Sequence, residues 1–305
     1  MADRRPSSGL PDEASAKSGR AVDRLFNIEQ KKFRNRYTIS RENSMPKKLY
    51  LNTFKALIQT DLAIFKQLIL DKFIDVSIWV ILTITVTSYI LPFFGLSATF
   101  GVFQLGGVLA AVGLFEVYGS TVELVSDYEG DRIINYNLTL PIPAWLVILS
   151  KAAAYFLLYL TLTVLIFPVG KLCLWHQLDL ATINYPQFLL VLFFASLFFA
   201  SFVVWVSSIT LNMSKLGTVW SRFIFPMWFL GGFQFSWLAM RNTIPALAYF
   251  NLINPMLYLT EAIRTALLGQ AGFINFWLCL LAVVGFSAIC FAAGYRNLKK
   301  RLDFV

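Results

Sequence analysis

The residues best able to do chemistry in this chain are charged groups set in apolar sequence. Glu116 and Glu123 stand seven residues apart, two helical turns along one face, inside the otherwise apolar run Gly101–Val125. An ionised carboxylate at the centre of a membrane helix costs about 2.5–3.5 kcal/mol. Each must therefore face protein, a cavity or a cation, or remain protonated. Glu261 and Arg264, three apart in a second apolar stretch, are spaced to meet on one helix face. Asp127, Glu129, Asp131 and Arg132 crowd one polar loop. These patterns suit charge recognition and coupling between helices rather than bond making. His176 is the only histidine, beside Trp175, and Cys173, Cys279 and Cys290 have no metal or redox spacing. Neither a metal site nor a catalytic set is expected.

The elements that must position these groups are membrane helices. Hydrophobic residues make up 57% of the chain and charged ones 14%, too few to coat a soluble domain of this size. Six apolar stretches, near 74–94, 101–125, 145–169, 187–211, 219–238 and 274–295, have about the 20 residues a helix needs to cross hydrocarbon. The expected fold is an all-α membrane protein of six transmembrane helices. Residues 1–72 hold 15 of the 26 Lys and Arg, and Arg296, Lys299, Lys300 and Arg301 close the chain. The segments 170–186 and 239–270 carry only Lys171, Arg241 and Arg264. By the positive-inside rule both termini are cytoplasmic, as an even number of spans requires. The basic start suits anionic lipid or a protein partner beside a membrane, not nucleic acid. It lacks the apolar core of a cleavable signal, so the first span would direct insertion.

Residues 1–48, mixed in Pro, Ser, Gly, Lys and Arg, read as a basic tail without a fold of its own, and 49–305 as the membrane domain. Leu51, Phe54, Ile58, Leu62, Phe65 and Ile69 form one apolar stripe, which predicts an interfacial helix over 49–72 on the cytoplasmic surface. The loop from Ser126 predicts a short cytoplasmic helix over Asp127–Asn137, stopped by Pro141 and Pro143. Pro245 and Pro255 interrupt the apolar stretch Asn242–Gly269, which predicts a re-entrant pair of short helices in the outer leaflet. Pro226, Gly231 and Gly232 interrupt the fifth span and mark a kink or hinge. Gly106, Gly107, Ala110 and Ala111 allow close helix approach in the second.

Two of these segments resemble a known family. Asn254-Pro255, Tyr258, Glu261, Arg264 and Gly269 before the last span are similar to the pattern of the membrane subunit of ABC-2 type (type V) ABC exporters. Leu138-Thr-Leu-Pro141 leading to Lys151 is similar to that family's threonine-proline loop. The resemblance covers about Leu49 to the C-terminus. One local difference is that Gly130 precedes Asp131-Arg132, where the family has a charged run followed by Gly-Thr.

The resemblance implies a permease subunit, not an enzyme, of an ATP-driven exporter in the bacterial cytoplasmic (inner) membrane. The chain has no Walker A sequence, so it would bind no cofactor itself. ATP and Mg would belong to a separate ABC ATPase subunit, present in two copies beside two permease copies, a homodimer in contact with membrane lipids. The residues take roles within this resemblance. Asp127, Glu129, Asp131 and Arg132 would couple to the ATPase. Glu116 and Glu123, by their own position, would line the translocation path or hydrogen-bond another span. Asn254, Pro255, Glu261 and Arg264 would form the outer gate, with Pro226, Gly231 and Gly232 the hinge. The cargo would be amphipathic: a lipid, glycolipid or hydrophobic small molecule. The alternatives are an intramembrane lipid-modifying enzyme, which would need a convergent catalytic set, and an ion-coupled secondary transporter using Glu116, which would show internal repeats.

Overall fold

The structure, a computed structural model, describes residues 47–97, 99–130, 133–140, 142–210 and 212–302. The expected basic tail therefore lies almost wholly outside the described residues, as do Asp131, Arg132 and Pro141. The chain divides into the units Met1–Asn52 and Thr53–Val305, and in the first of these only the helical residues 47–52 are described.

Every element among the described residues is helical. The long helices are α1 (Lys47–Thr85), α2 (Phe100–Glu129), α4 (Ala144–Cys173), α5 (Tyr185–Ile209) and α10 (Phe276–Leu302), with α3 (Ile133–Thr139) a short helix after α2. Five helices among the described residues are long and apolar enough to cross a membrane. Large apolar side chains are exposed on the outer ones, for example Ile78 and Leu82 on α1 and Leu281 and Ile289 on α10, whereas α2 is mostly buried. A surface of this kind is stable against hydrocarbon, where helices satisfy their own backbone. The protein is a multi-pass, all-α integral membrane protein.

Two expectations are corrected. The segment 49–72 is not a separate interfacial helix, because α1 continues through it without a non-helical residue and extends through a π turn at Val86–Ile90. Nothing between Lys72 and Ile74 breaks a helix, and the apolar stripe passes directly into apolar sequence. Nor is 219–238 one helix. Leu216–Val219, a π turn at Trp220–Ile224 and Phe225–Leu230 together form α6 (216–230), about 22 Å long and short of the roughly 30 Å hydrocarbon layer. It ends because Gly231 leaves helical geometry and Gly232 takes φ +77°, a conformation that excludes most side chains. Ser236 then caps a new helix by accepting a hydrogen bond from Ala239 N–H.

The segment after that break folds into α7 (Trp237–Thr243), α8 (Pro245–Phe250) and α9 (Pro255–Leu268). Pro245 and Pro255 stand in the first turns of α8 and α9, where a missing N–H is harmless, so they begin helices as well as end them. The Asn254 side chain caps α9 at Met256 N–H. At the core of the molecule, α5 packs against α2, α4, α9 and α10. Gly294 of α10 lies so close to α5 that a Cβ there would sit 2.8 Å from Trp205 N.

Candidate functional site

Two charged clusters are built on this frame, in different halves of α2. The first joins α1, α2 and α4. Glu116, in mid-helix, receives Lys72 of α1 at 2.7 Å, and Glu123 lies 4.0 Å from the same ammonium. One step further along α2, Lys151 of α4 binds Asp61 of α1 at 2.7 Å and stands 3.6 Å from Asp127. Their helical spacing makes this a ladder: two lysines, each with a near and a farther carboxylate. The side chains of Asp61 and Lys151 are only 11–12% exposed, so each charge depends on the other for solvation. A cavity of about 250 Å³ opens beside them, lined by Asp61, Glu123, Asp127, Lys151 and Tyr155. Glu116 thus has the cationic partner that its position demanded. Sequence reasoning missed Asp61 and Lys72 as partners, although both interrupt apolar stretches that span or adjoin a membrane.

The second cluster is α9 with its surroundings, and it overturns the expected pairing. Glu261 and Arg264 are both fully buried, yet they do not pair with each other among the described ion pairs. The Glu261 carboxylate accepts hydrogen bonds from Trp237 N–H, at the start of α7, and from Ile274 N–H, just before α10, each 2.9 Å long. The Arg264 guanidinium donates to three carbonyls at 3.0 Å: Phe103 in the first turn of α2, and Phe233 and Phe235 in the break after α6. It also lies 3.5 Å over the Phe103 ring. The i to i+3 rule brings two side chains to one face but does not decide whom they bond. Here the non-helical break after α6 offers the carbonyls of Phe233 and Phe235, and the segment starts at Trp237 and Ile274 offer N–H groups. The Phe103 carbonyl accepts a second bond beside its helical one.

The small residues of α2 make room for this. A Cβ on Gly106 would lie 2.6 Å from Arg264 Cγ, and one on Gly107 2.6 Å from the Phe233 carbonyl oxygen. Asn251 and Asn254 extend the same service, donating to the carbonyls of Leu230 and Met227 at 2.5 and 3.0 Å. Gly231 and Gly232 are close-packed against α9, where a Cβ would meet Met256 at 2.6 Å and Thr260 at 2.9 Å respectively. Pro226 stands in the first turn of the helical piece that follows the π turn.

The expected coupling loop is also arranged differently. Asp127 and Glu129 belong to the last turn of α2, and the described part of the next helix is Ile133–Thr139. Glu129 accepts a hydrogen bond from Met213 N–H at 2.9 Å, fixing the start of the α6 segment to the end of α2. Among the described residues no group of three or more His, Cys, Asp or Glu is placed to hold a metal.

Both clusters join helices to one another, the first through side-chain ion pairs and the second through buried side chains that bond backbone groups. Among curated proteins, none matches this chain in sequence. The family model described as ABC-2 type transporter matches residues 54–268, which include both charged clusters, and the chain belongs to that family of membrane permeases.

Proposed function

We propose that the chain is the permease subunit of an ATP-driven exporter that moves an amphipathic substrate out across the cytoplasmic membrane. Family membership implies an ABC ATPase partner. The further assignment of two ATPases on a permease homodimer, in a bacterial inner membrane with both termini cytoplasmic, is part of the same reading. The observation that carries it is the family match over 54–268 together with exposed apolar helices.

In this reading α6 is a crossing segment completed by non-helical 231–236. Irregular backbone is tolerated at membrane depth only where protein satisfies it, and Arg264 does so for Phe233 and Phe235. The segment 237–268 then serves as the re-entrant outer element and exit gate. At the other end, α3 with Asp131 and Arg132 before it is the surface that receives the ATPase. Closure of the ATPase would move α3 and the end of α2, and the Lys72 and Lys151 ladders would carry that displacement to α1 and α4.

The test is purification of the tagged chain from its native membranes. An ATP-hydrolysing subunit should accompany it, and Arg132→Glu should weaken that association while leaving insertion intact. Absence of any ATPase from the complex would contradict the reading. Cysteines placed at Ser18 or Leu302 should resist labelling from outside while one at Gln177 reacts; the reverse pattern would refute the topology.

A further inference from the structure

Arg222 is a charged side chain that neither cluster uses. It sits in the π turn of α6 and is exposed. Among the described residues no carboxylate lies within 4.0 Å of it. Its depth follows from two contacts. Met213 N–H bonds Glu129, so the start of the α6 segment is level with the end of α2, and Arg222 comes nine residues later, about 13 Å further in. Trp220, two residues before it, packs against Tyr118 and Phe115 of α2, with ring centroids 5.4 and 5.8 Å apart. These two residues stand near the middle of that helix. A guanidinium at this depth is expensive against hydrocarbon and marks a functional site by default. π turns inside α-helices are themselves frequent at functional sites.

The segment that carries the charge is otherwise greasy. Phe225 and Phe229, four apart in the α-helical piece after the π turn, are both exposed, with rings stacked at 5.6 Å. One exposed cation followed along the segment by two stacked, exposed rings matches a molecule with one anionic head and one apolar chain. We propose that Arg222, Phe225 and Phe229 bind an anionic amphiphile, its phosphate or carboxylate on the guanidinium and its chain along the rings, and that this is the class of substrate the permease accepts. The substrate assignment rests on the permease reading, whereas the binding patch does not. The planar guanidinium recognises phosphate and carboxylate through paired donors, which a lysine ammonium cannot reproduce.

The test places the purified chain in phosphatidylcholine nanodiscs with a photoreactive alkyl phosphate, or with the same alkyl chain ending in an alcohol. The phosphate probe should label residues 220–229 about tenfold more strongly than the alcohol, the effect expected of a charge-assisted hydrogen bond. Arg222→Gln should abolish that preference and Arg222→Lys should restore part of it, with helix content and assembly mass unchanged. Equal labelling by both probes, or a preference that survives in Arg222→Gln, would overturn the proposal. Competition by phosphatidylglycerol merely in proportion to its share of the bilayer would also overturn it, identifying a surrounding lipid. Loss of self-association in Arg222→Gln would overturn it by assigning the charge to a second copy. Vesicles that export the alcohol under ATP but ignore the phosphate would refute this inference and leave the permease reading standing.

Discussion

Lys72 and Lys151 meet their carboxylates side chain to side chain across three helices, whereas Glu261 and Arg264 spend their charges on backbone groups. Both arrangements put ions in a membrane protein, but they solve different problems. In the Lys72 and Lys151 ladders each ammonium has a near and a farther partner, 2.7 against 4.0 Å and 2.7 against 3.6 Å. Each ammonium is therefore shared between two carboxylates, so that no single contact carries the whole charge. Around α9 the charges meet backbone instead: Arg264 holds three carbonyls and Glu261 two N–H groups that have no helical partner. The first region joins helices through shared side-chain charges, and the second ties a helix to backbone groups at fixed positions.

The contrast is most easily broken at α9. Arg264→Leu should destabilise the protein by about 3–5 kcal/mol, since the buried Phe233 carbonyl and the half-buried carbonyls of Phe103 and Phe235 lose their donor, and Glu261→Gln by somewhat less. Thermal melting of detergent-solubilised protein would show it. Had the two residues paired with each other, the double variant would be milder than the worse single one. The geometry instead predicts a double variant at least as damaged as Arg264→Leu alone, and a recovery would refute the backbone assignment. Gly106→Ala should follow at about 1–3 kcal/mol, because the added methyl enters the space of Arg264 Cγ.

The ladders should give smaller, coupled effects. Lys151→Met leaves Asp61 buried without its cation and should cost about 1–3 kcal/mol, and Asp61→Asn in the same chain should recover part of that. A double-mutant cycle showing no coupling would remove the pair from the account. Glu123→Gln is the weakest, within about 0.5 kcal/mol, since its side chain is 37% exposed and 4.0 Å from Lys72.

Much of this was legible in the sequence. The apolar runs place α2, α4, α5 and α10, and the Asn254-Pro255 signal marks the start of α9 because a cap and a first-turn proline act locally. Hydropathy alone does not locate the end of α6, because Phe233, Phe235, Trp237 and Leu238 follow the glycine pair. Gly231-Gly232 marks a kink or hinge in the sequence, and the positive φ of Gly232 shows that the helix ends there. The bonding of Arg264 was illegible for a related reason. Its partners are carbonyls of Phe103, Phe233 and Phe235, and backbone groups carry no residue-type signature. Spacing pointed to Glu261, the nearest opposite charge in the chain, and the break in α6 supplied better acceptors. The same absence of long-range information hid the match of Asp61 to Lys151, ninety positions apart.

The most direct test of the account is ATP-driven transport in inverted membrane vesicles holding the chain and its co-purified ATPase, with a fluorescent alkyl phosphate as cargo. The account predicts uptake that requires ATP and both subunits and that falls sharply when Lys72 and Lys151 are both replaced by methionine, although the complex still assembles. Uptake by the chain alone without ATP, or undiminished uptake with both lysines replaced, would contradict it.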